Sequence, residues 1–129
     1  MRTDKQRTGD YGETVAARYL RRRFYRILAR NWHADKKEID IIAARFGVIA
    51  FVEVKTRTYT DAEYETLPPP RRAVDREKQH FTRAAAMRYQ REHPSGRKPR
   101  MDVIEVSLAP AENGKRPRVR NIHHLTGAY

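Results

Sequence analysis

Two segments of helical period, each followed by runs of apolar or alternating residues, predict an α/β fold in which helices cover a mixed sheet. The run "EIDIIAARFGVIAFVEVKTR" at residues 38–57 supplies the middle of that sheet, and the triple proline at residues 68–70 separates it from the second helix. Nothing in the 129 residues marks an internal repeat or a linker. The expectation is one domain over residues 9–129 after a flexible basic tail at residues 1–8.

"GDYGETVAARYLRRR" reads as the first helix. Asp10 and Glu13 have the spacing of a capping box, and Val15, Ala16, Tyr19 and Leu20 fall on one stripe. "FYRILARNWH" reads as a strand with Ile27 and Ala29 on one face and Leu28 and Trp32 on the other. The polar "ADKK" turns the chain into the two strands of the 38–57 run, which meet at Gly47. Residues 59–72 are polar and prolinic, and three successive prolines exclude a helix or central strand, so an exposed loop is expected. A second helix runs from Ala73 to Glu92 with Val74, Phe81, Ala84, Ala85 and Met87 as its buried face. Pro94 and Gly96 end it. In "PRMDVIEVSLA" the residues Asp102, Ile104, Val106 and Leu108 share a strand face. "PAENGKRPR" is a turn, and "VRNIHHLTGAY" a last short strand or tail.

Composition narrows the function classes. Cysteine is absent, which excludes a disulfide framework and a thiolate metal site. No signal-peptide core stands at the start, and no apolar run approaches the ~18 residues of a membrane span. A cytoplasmic protein without a membrane partner is the expectation. The formal net charge of +12 suits a polyanion, because phosphates gain from Arg and Lys contacts. Basic runs such as "RRRFYR" and "PPPRR" offer Arg22 and Arg72 as nucleic-acid contacts. An anionic lipid surface would satisfy the same charge.

The 38–57 run contains an anomaly. Asp40, Glu53 and Lys55 sit among Ile, Val, Ala and Phe, although a charge taken out of water is costly unless paired or bound to a metal. Glu53 and Lys55 are two apart and leave one face of their strand. A hairpin centred between Phe46 and Gly47 places Asp40 opposite Glu53, whereas one centred a residue earlier pairs Asp40 with Phe51 but keeps the shared face. The bland reading is a structural ion triad. The functional reading is a magnesium or manganese site, since such ions prefer carboxylate oxygen and need only one or two protein carboxylates beside substrate phosphates. Asp40, Glu53 and the Val54 carbonyl would hold the ion, and Lys55 would orient the attacking water or stabilise the phosphate.

Asp40 followed by Glu53-Val54-Lys55 resembles the PD-(D/E)xK signature of the restriction-endonuclease-like nucleases, with Ile39 where that name has proline. "YGETVAARYLRRRFYRILARNW", "EIDIIA", "FVEVKTR", "MDVIEV" and the ending "NIHHLTGAY", in this order, resemble the YraN family of bacterial proteins, itself similar to the archaeal Holliday junction resolvases. The resemblance spans Gly9 to Leu108 and implies a restriction-endonuclease-like core. It also implies a catalytic set of Glu13, Asp40, Glu53 and Lys55, with Glu13 reaching the metal through a water. Arg57 follows the motif and Lys78 matches a basic position on the second helix; a solvated face is the first reading of both and phosphate contact the second. Two departures stand out: Lys37 replaces a frequent glycine, and the 59–72 loop is long and prolinic.

The five histidines, His33, His80, His93, His123 and His124, show no zinc spacing and are expected to be structural or exposed. The leading expectation is a magnesium-dependent endonuclease acting on nucleic acid, DNA foremost, with branched structures among its substrates and a homodimer as the form a resolvase-like activity would need. The alternatives are a non-catalytic nucleic-acid-binding module on the same fold, or a peripheral membrane or protein-interaction role resting on charge alone.

Overall fold

The computed structural model describes residues 2–68 and 75–129. The chain opens with helix α1 (Asp4–Arg22), seven residues earlier than the Asp10–Glu13 box suggests. Two capping boxes compete in this stretch, and the upstream one prevails. Thr3 Oγ1 accepts from the Gln6 N–H at 3.1 Å while Gln6 Oε1 accepts from the Thr3 N–H at 2.9 Å, which satisfies two orphan donors of the first turn. Residues 4–8 are therefore helical and not a tail, and Asp10 lies in the second turn, paired with Arg2 at 2.7 Å.

Strands β1 (Arg26–Ala34), β2 (Lys37–Arg45) and β3 (Val48–Thr58) form an antiparallel meander. The β2–β3 register is the one predicted for a turn at Phe46-Gly47, with Arg45 opposite Val48 and Ile41 opposite Val52. Phe46 takes a positive φ of 52° at the tip. β1 departs from simple alternation. A bulge between Ile27 and Ala29 carries Ala29 to the side of Leu28 and Trp32, correcting the expected pairing of Ile27 with Ala29 on one face.

The 59–72 segment is not all loop. Thr60 caps a short helix, α2 (Asp61–Glu65), and Arg120 pins its start by donating to the Tyr59 carbonyl at 3.0 Å and to Asp61 at 2.6 Å. Arg72 and the expected first residues of the second helix, Ala73 and Val74, fall outside the described residues. α3 (Arg76–Glu92) is capped by Asp75. Its buried stripe is Ala85, Ala86 and Tyr89, while Ala84 is exposed, Phe81 is 40% exposed and Met87 59% exposed. The small alanines let the helix lie close to the sheet, and Tyr89 fills the remaining space edge-on to Trp32 and Phe51.

α2 and α3 form the crossover to β4 (Lys98–Leu108), parallel to β3, and β5 (Val119–Leu125) adds an antiparallel edge. The result is a five-stranded mixed sheet in the order β1-β2-β3-β4-β5, flanked by helices. α1 buries Val15, Ala16, Ala17 and Leu20 against Ile41, Val52, Ile104, Val106 and Leu108 on one face. α3 packs on Ile39, Ile42, Ile49, Phe51 and Met101 on the other. Among the described residues no helix is long and apolar enough to cross a membrane.

Gly12 fixes where α1 meets the sheet. A Cβ built there would lie 1.8 Å from Thr56 Oγ1. Alanine for glycine in a helix ordinarily gains up to about 1 kcal/mol, but here overpacking reverses the sign. Gly12→Ala is expected to lower stability by about 1–3 kcal/mol, read from the urea midpoint at unchanged slope.

Candidate functional site

The site forms where the β2–β3 ladder opens. The register runs inward from the turn to Ile41 opposite Val52, and the next residues outward are Asp40 and Glu53. Here a side chain replaces a backbone partner: the Val54 N–H donates to Asp40 Oδ2 at 2.8 Å. Asp40 and Glu53 line one cavity of about 300 Å³ with Lys78 and Thr82 of α3. Asp40 also reaches a second cavity, of about 390 Å³, on the α1 side with Glu13. The opening in the ladder thus lets one carboxylate serve both faces of the sheet.

Around it the acids crowd together. Asn31, with φ of 52°, places its amide between two of them; with the nitrogen facing the carboxylates it donates to Glu13 Oε1 at 2.8 Å and Glu38 Oε1 at 2.9 Å. Burial, followed by repulsion from Asp40, raises the pKa of Glu13 from 4.5 to about 7, against the opposing pull of Arg30. Burial also raises Asp40 from 3.8 to about 6; the Val54 hydrogen bond opposes it, and the charges of Glu38 and Glu53 add to it. Such crowded, desolvated carboxylates hold protons more tightly because burial and mutual repulsion both disfavour the charged form.

Glu53 is paired with Lys78, whose ammonium contacts Oε1, while Glu53 Oε2 is buried with no hydrogen-bond partner among the described residues. That pairing raises the Lys78 pKa. Lys55 stands two residues along β3 from Glu53, half-buried, level with Glu105 of β4. Among the described residues no three His, Asp or Glu side chains converge into a ready metal cage.

The structure therefore sets Glu53 and Lys78 with Asp40 in the α3-side cavity, and Glu13 and Arg57 with Asp40 in the α1-side cavity, while Lys55 is in neither lining. Arg22 does not join them. It lines a separate cavity of about 450 Å³ with Arg18, Tyr19 and Ile122. It lies nine residues after Glu13, about 14 Å along the same helix. Glu38 and Asn31 were not anticipated. Glu38 carried a usable signal, since it is two residues from Asp40 on one strand, as Lys55 is from Glu53. Asn31 carried only a weak one, the tolerance of asparagine for positive φ.

The model of the Uncharacterised protein family UPF0102 matches residues 12–106, which span α1 from Gly12 through nearly all of β4. The chain belongs to that family. UPF0102 proteins similar to it include one from Roseiflexus castenholzii, 37% identical over 94% of this chain and 91% of its own length. Another, from Caldanaerobacter subterraneus subsp. tengcongensis, is 33% identical over 99% and 98%. A third, from Moorella thermoacetica, is 35% identical over the full length of both. UPF0102 is the family whose segments the sequence resembles, and its matched region contains Glu13, Asp40, Glu53, Lys55 and Lys78. Of the five histidines, His124 is structural: it is buried and hydrogen-bonded to Asp102 at 2.8 Å.

Proposed function

We propose that this UPF0102 protein is a divalent-metal-dependent phosphodiesterase acting on nucleic acid, with endonuclease chemistry and DNA as its foremost substrate. The observation that carries the reading is the cluster itself. Asp40 stands at the open end of a ladder with Glu53 beside it on the α3 side and Glu13 on the α1 side, on a chain of net charge +12, and Glu53 Oε2 is buried and unpartnered among the described residues. The donor set fits a hard cation: oxygen ligands, two close carboxylates, and the Val54 carbonyl on the strand between Glu53 and Lys55. Asp40 and Glu53 would hold Mg²⁺ or Mn²⁺, which when bound polarises a phosphoryl oxygen.

The chain's own residues supply the rest. Glu13, with a pKa raised to about 7, is poised to accept a proton from the attacking water at neutral pH. Lys78 carries an ammonium beside Asp40 and Glu53, and Lys55, two residues from Glu53 on β3, would add a second to stabilise negative charge on the phosphate. Arg57 lines the adjoining cavity and offers a fork for a phosphate oxygen. A homodimer would present two such sites to a branched substrate.

The test is cleavage of single-stranded, duplex and branched DNA by the purified protein with and without Mg²⁺ or Mn²⁺. Metal-dependent cleavage that Glu53→Gln abolishes, and that Glu13→Gln lowers by about 10²–10⁴-fold, is the expected result. Cleavage that survives both substitutions sinks the proposal. A second reading, a non-catalytic nucleic-acid-binding module, is favoured by the Lys78–Glu53 pair, which already neutralises one of the two carboxylates. Binding without metal that is indifferent to Glu53→Gln, with no cleavage of any substrate, is its signature.

A further inference from the structure

Gly9 raises a question that packing does not answer. A helix-interior glycine lowers stability relative to alanine. At Gly12 the close approach of Thr56 demands one, whereas at Gly9 a Cβ would meet nothing within 4 Å. The open space beside Gly9 is a groove of about 390 Å³ between α1 and the outer end of β3, lined by Lys5, Thr8, Gly9 and the consecutive Thr56, Arg57 and Thr58. At its inner end the groove includes Glu13, Asp40 and Val54 of the acidic cluster.

We infer that this groove is a subsite for the phosphodiester next to the one being cut; the inference rests on the phosphodiesterase reading. The acidic cluster repels a polyanion, so a nucleic-acid chain led to it needs compensating donors immediately alongside. The groove supplies them: an ammonium at Lys5, a guanidinium at Arg57 and hydroxyls at Thr56 and Thr58, the donor types that bind phosphate oxygens without reading bases. Four donor side chains line the groove with Gly9, whose missing side chain leaves room for the sugar-phosphate backbone. The inference also gives a function to the first two turns of α1. These carry Lys5, Thr8 and Gly9, and they form only because Thr3 and Gln6 cap the helix early.

Three variants test it. Gly9→Leu fills the groove, Arg57→Ala removes one donor, and Lys98→Ala removes one charge at the opposite end of the β3–β4 pair, where Lys98 lies level with Val48. Binding of a fluorescent DNA oligonucleotide is measured by anisotropy across a salt series, beside steady-state cleavage with Mg²⁺. Arg57→Ala is expected to weaken binding uniformly across sequences, lower the salt slope by about 1, and raise KM with kcat retained. Gly9→Leu is expected to raise KM likewise, with Tm at or above the wild type. Unchanged binding and KM in both variants overturns the inference alone, as does a Lys98→Ala effect equal to that of Arg57→Ala. Wild-type protein that binds no nucleic acid overturns the functional reading and this inference together. Wild-type protein that binds without cutting still decides the subsite through the anisotropy series.

Discussion

Asp102→Ala is expected to lower the folding free energy by about 3–5 kcal/mol. Asp102 is wholly buried on β4. Its two oxygens accept from Arg100 Nε and Nη2, each at 2.8 Å, from His124 at 2.8 Å and from the Gly127 N–H at 3.0 Å. Because a carboxylate only accepts, His124 Nε2 carries a proton, and its Nδ1 lies 3.2 Å from the Tyr19 hydroxyl, which acts as donor or acceptor as the ring requires. Tyr25 bonds the same Arg100 at 2.5 Å. Removing the carboxylate strands a guanidinium and an imidazole in low dielectric, and three elements lose their common anchor. Burial pushes the Asp102 pKa up, but the bonds from His124, Arg100 and Gly127 outweigh it and hold the carboxyl below its usual range. A carboxyl depressed on folding contributes stability that is present above its unfolded pKa of about 3.9 and lost as pH falls through the folded value. Denaturant midpoints measured in the acid range should therefore converge for wild type and Asp102→Asn as pH falls.

This network and the candidate active site were unequally legible in the sequence. Both registers open to the hairpin kept Asp40 and Glu53 on one face, so their nearness followed from period-two geometry, while the choice between the registers was made by the fold. The Asp102 face of β4 followed in the same way. What Asp102 does was only partly legible: Arg100 is two residues away on the same strand, but Tyr19, Tyr25, His124 and Gly127 come from elsewhere in the chain, and local pattern does not encode their convergence. Two other discrepancies have local causes. A bulge at Leu28 shifts a face by one residue, which a strict alternation count cannot detect. On α3 the larger apolar residues, Phe81 and Met87, drew the stripe away from Ala85, Ala86 and Tyr89, where closeness to the sheet and not side-chain volume decides burial. Asn31 and Glu38 completed the acidic cluster through a positive-φ residue whose placement depends on the fold around it.

Asp40→Asn is expected to abolish cleavage and at the same time stabilise the protein. The sign follows from the raised pKa. A carboxyl whose folded pKa is about 6 against 3.8 unfolded binds its proton more tightly in the folded state, so ionising it weakens the fold. The penalty is absent below pH 4, grows between about pH 4 and 6, and is complete above that window, reaching at most about 3 kcal/mol at 1.36 kcal/mol per unit. Asparagine keeps an oxygen for the Val54 N–H and removes the charge that Glu13, Glu38 and Glu53 oppose. Urea midpoints of the variant should therefore exceed those of the wild type at pH 8 and approach them at pH 4. Saturating Mg²⁺ should raise the wild-type midpoint at pH 8, as any ligand selective for the folded state does, and leave the variant unmoved. Equal stability of the two proteins at pH 8, with no response to Mg²⁺ in either, would return Asp40 to the structural ion triad. Opposite effects on stability and activity would show that Asp40 is retained against the interest of the fold, for the chemistry it makes available.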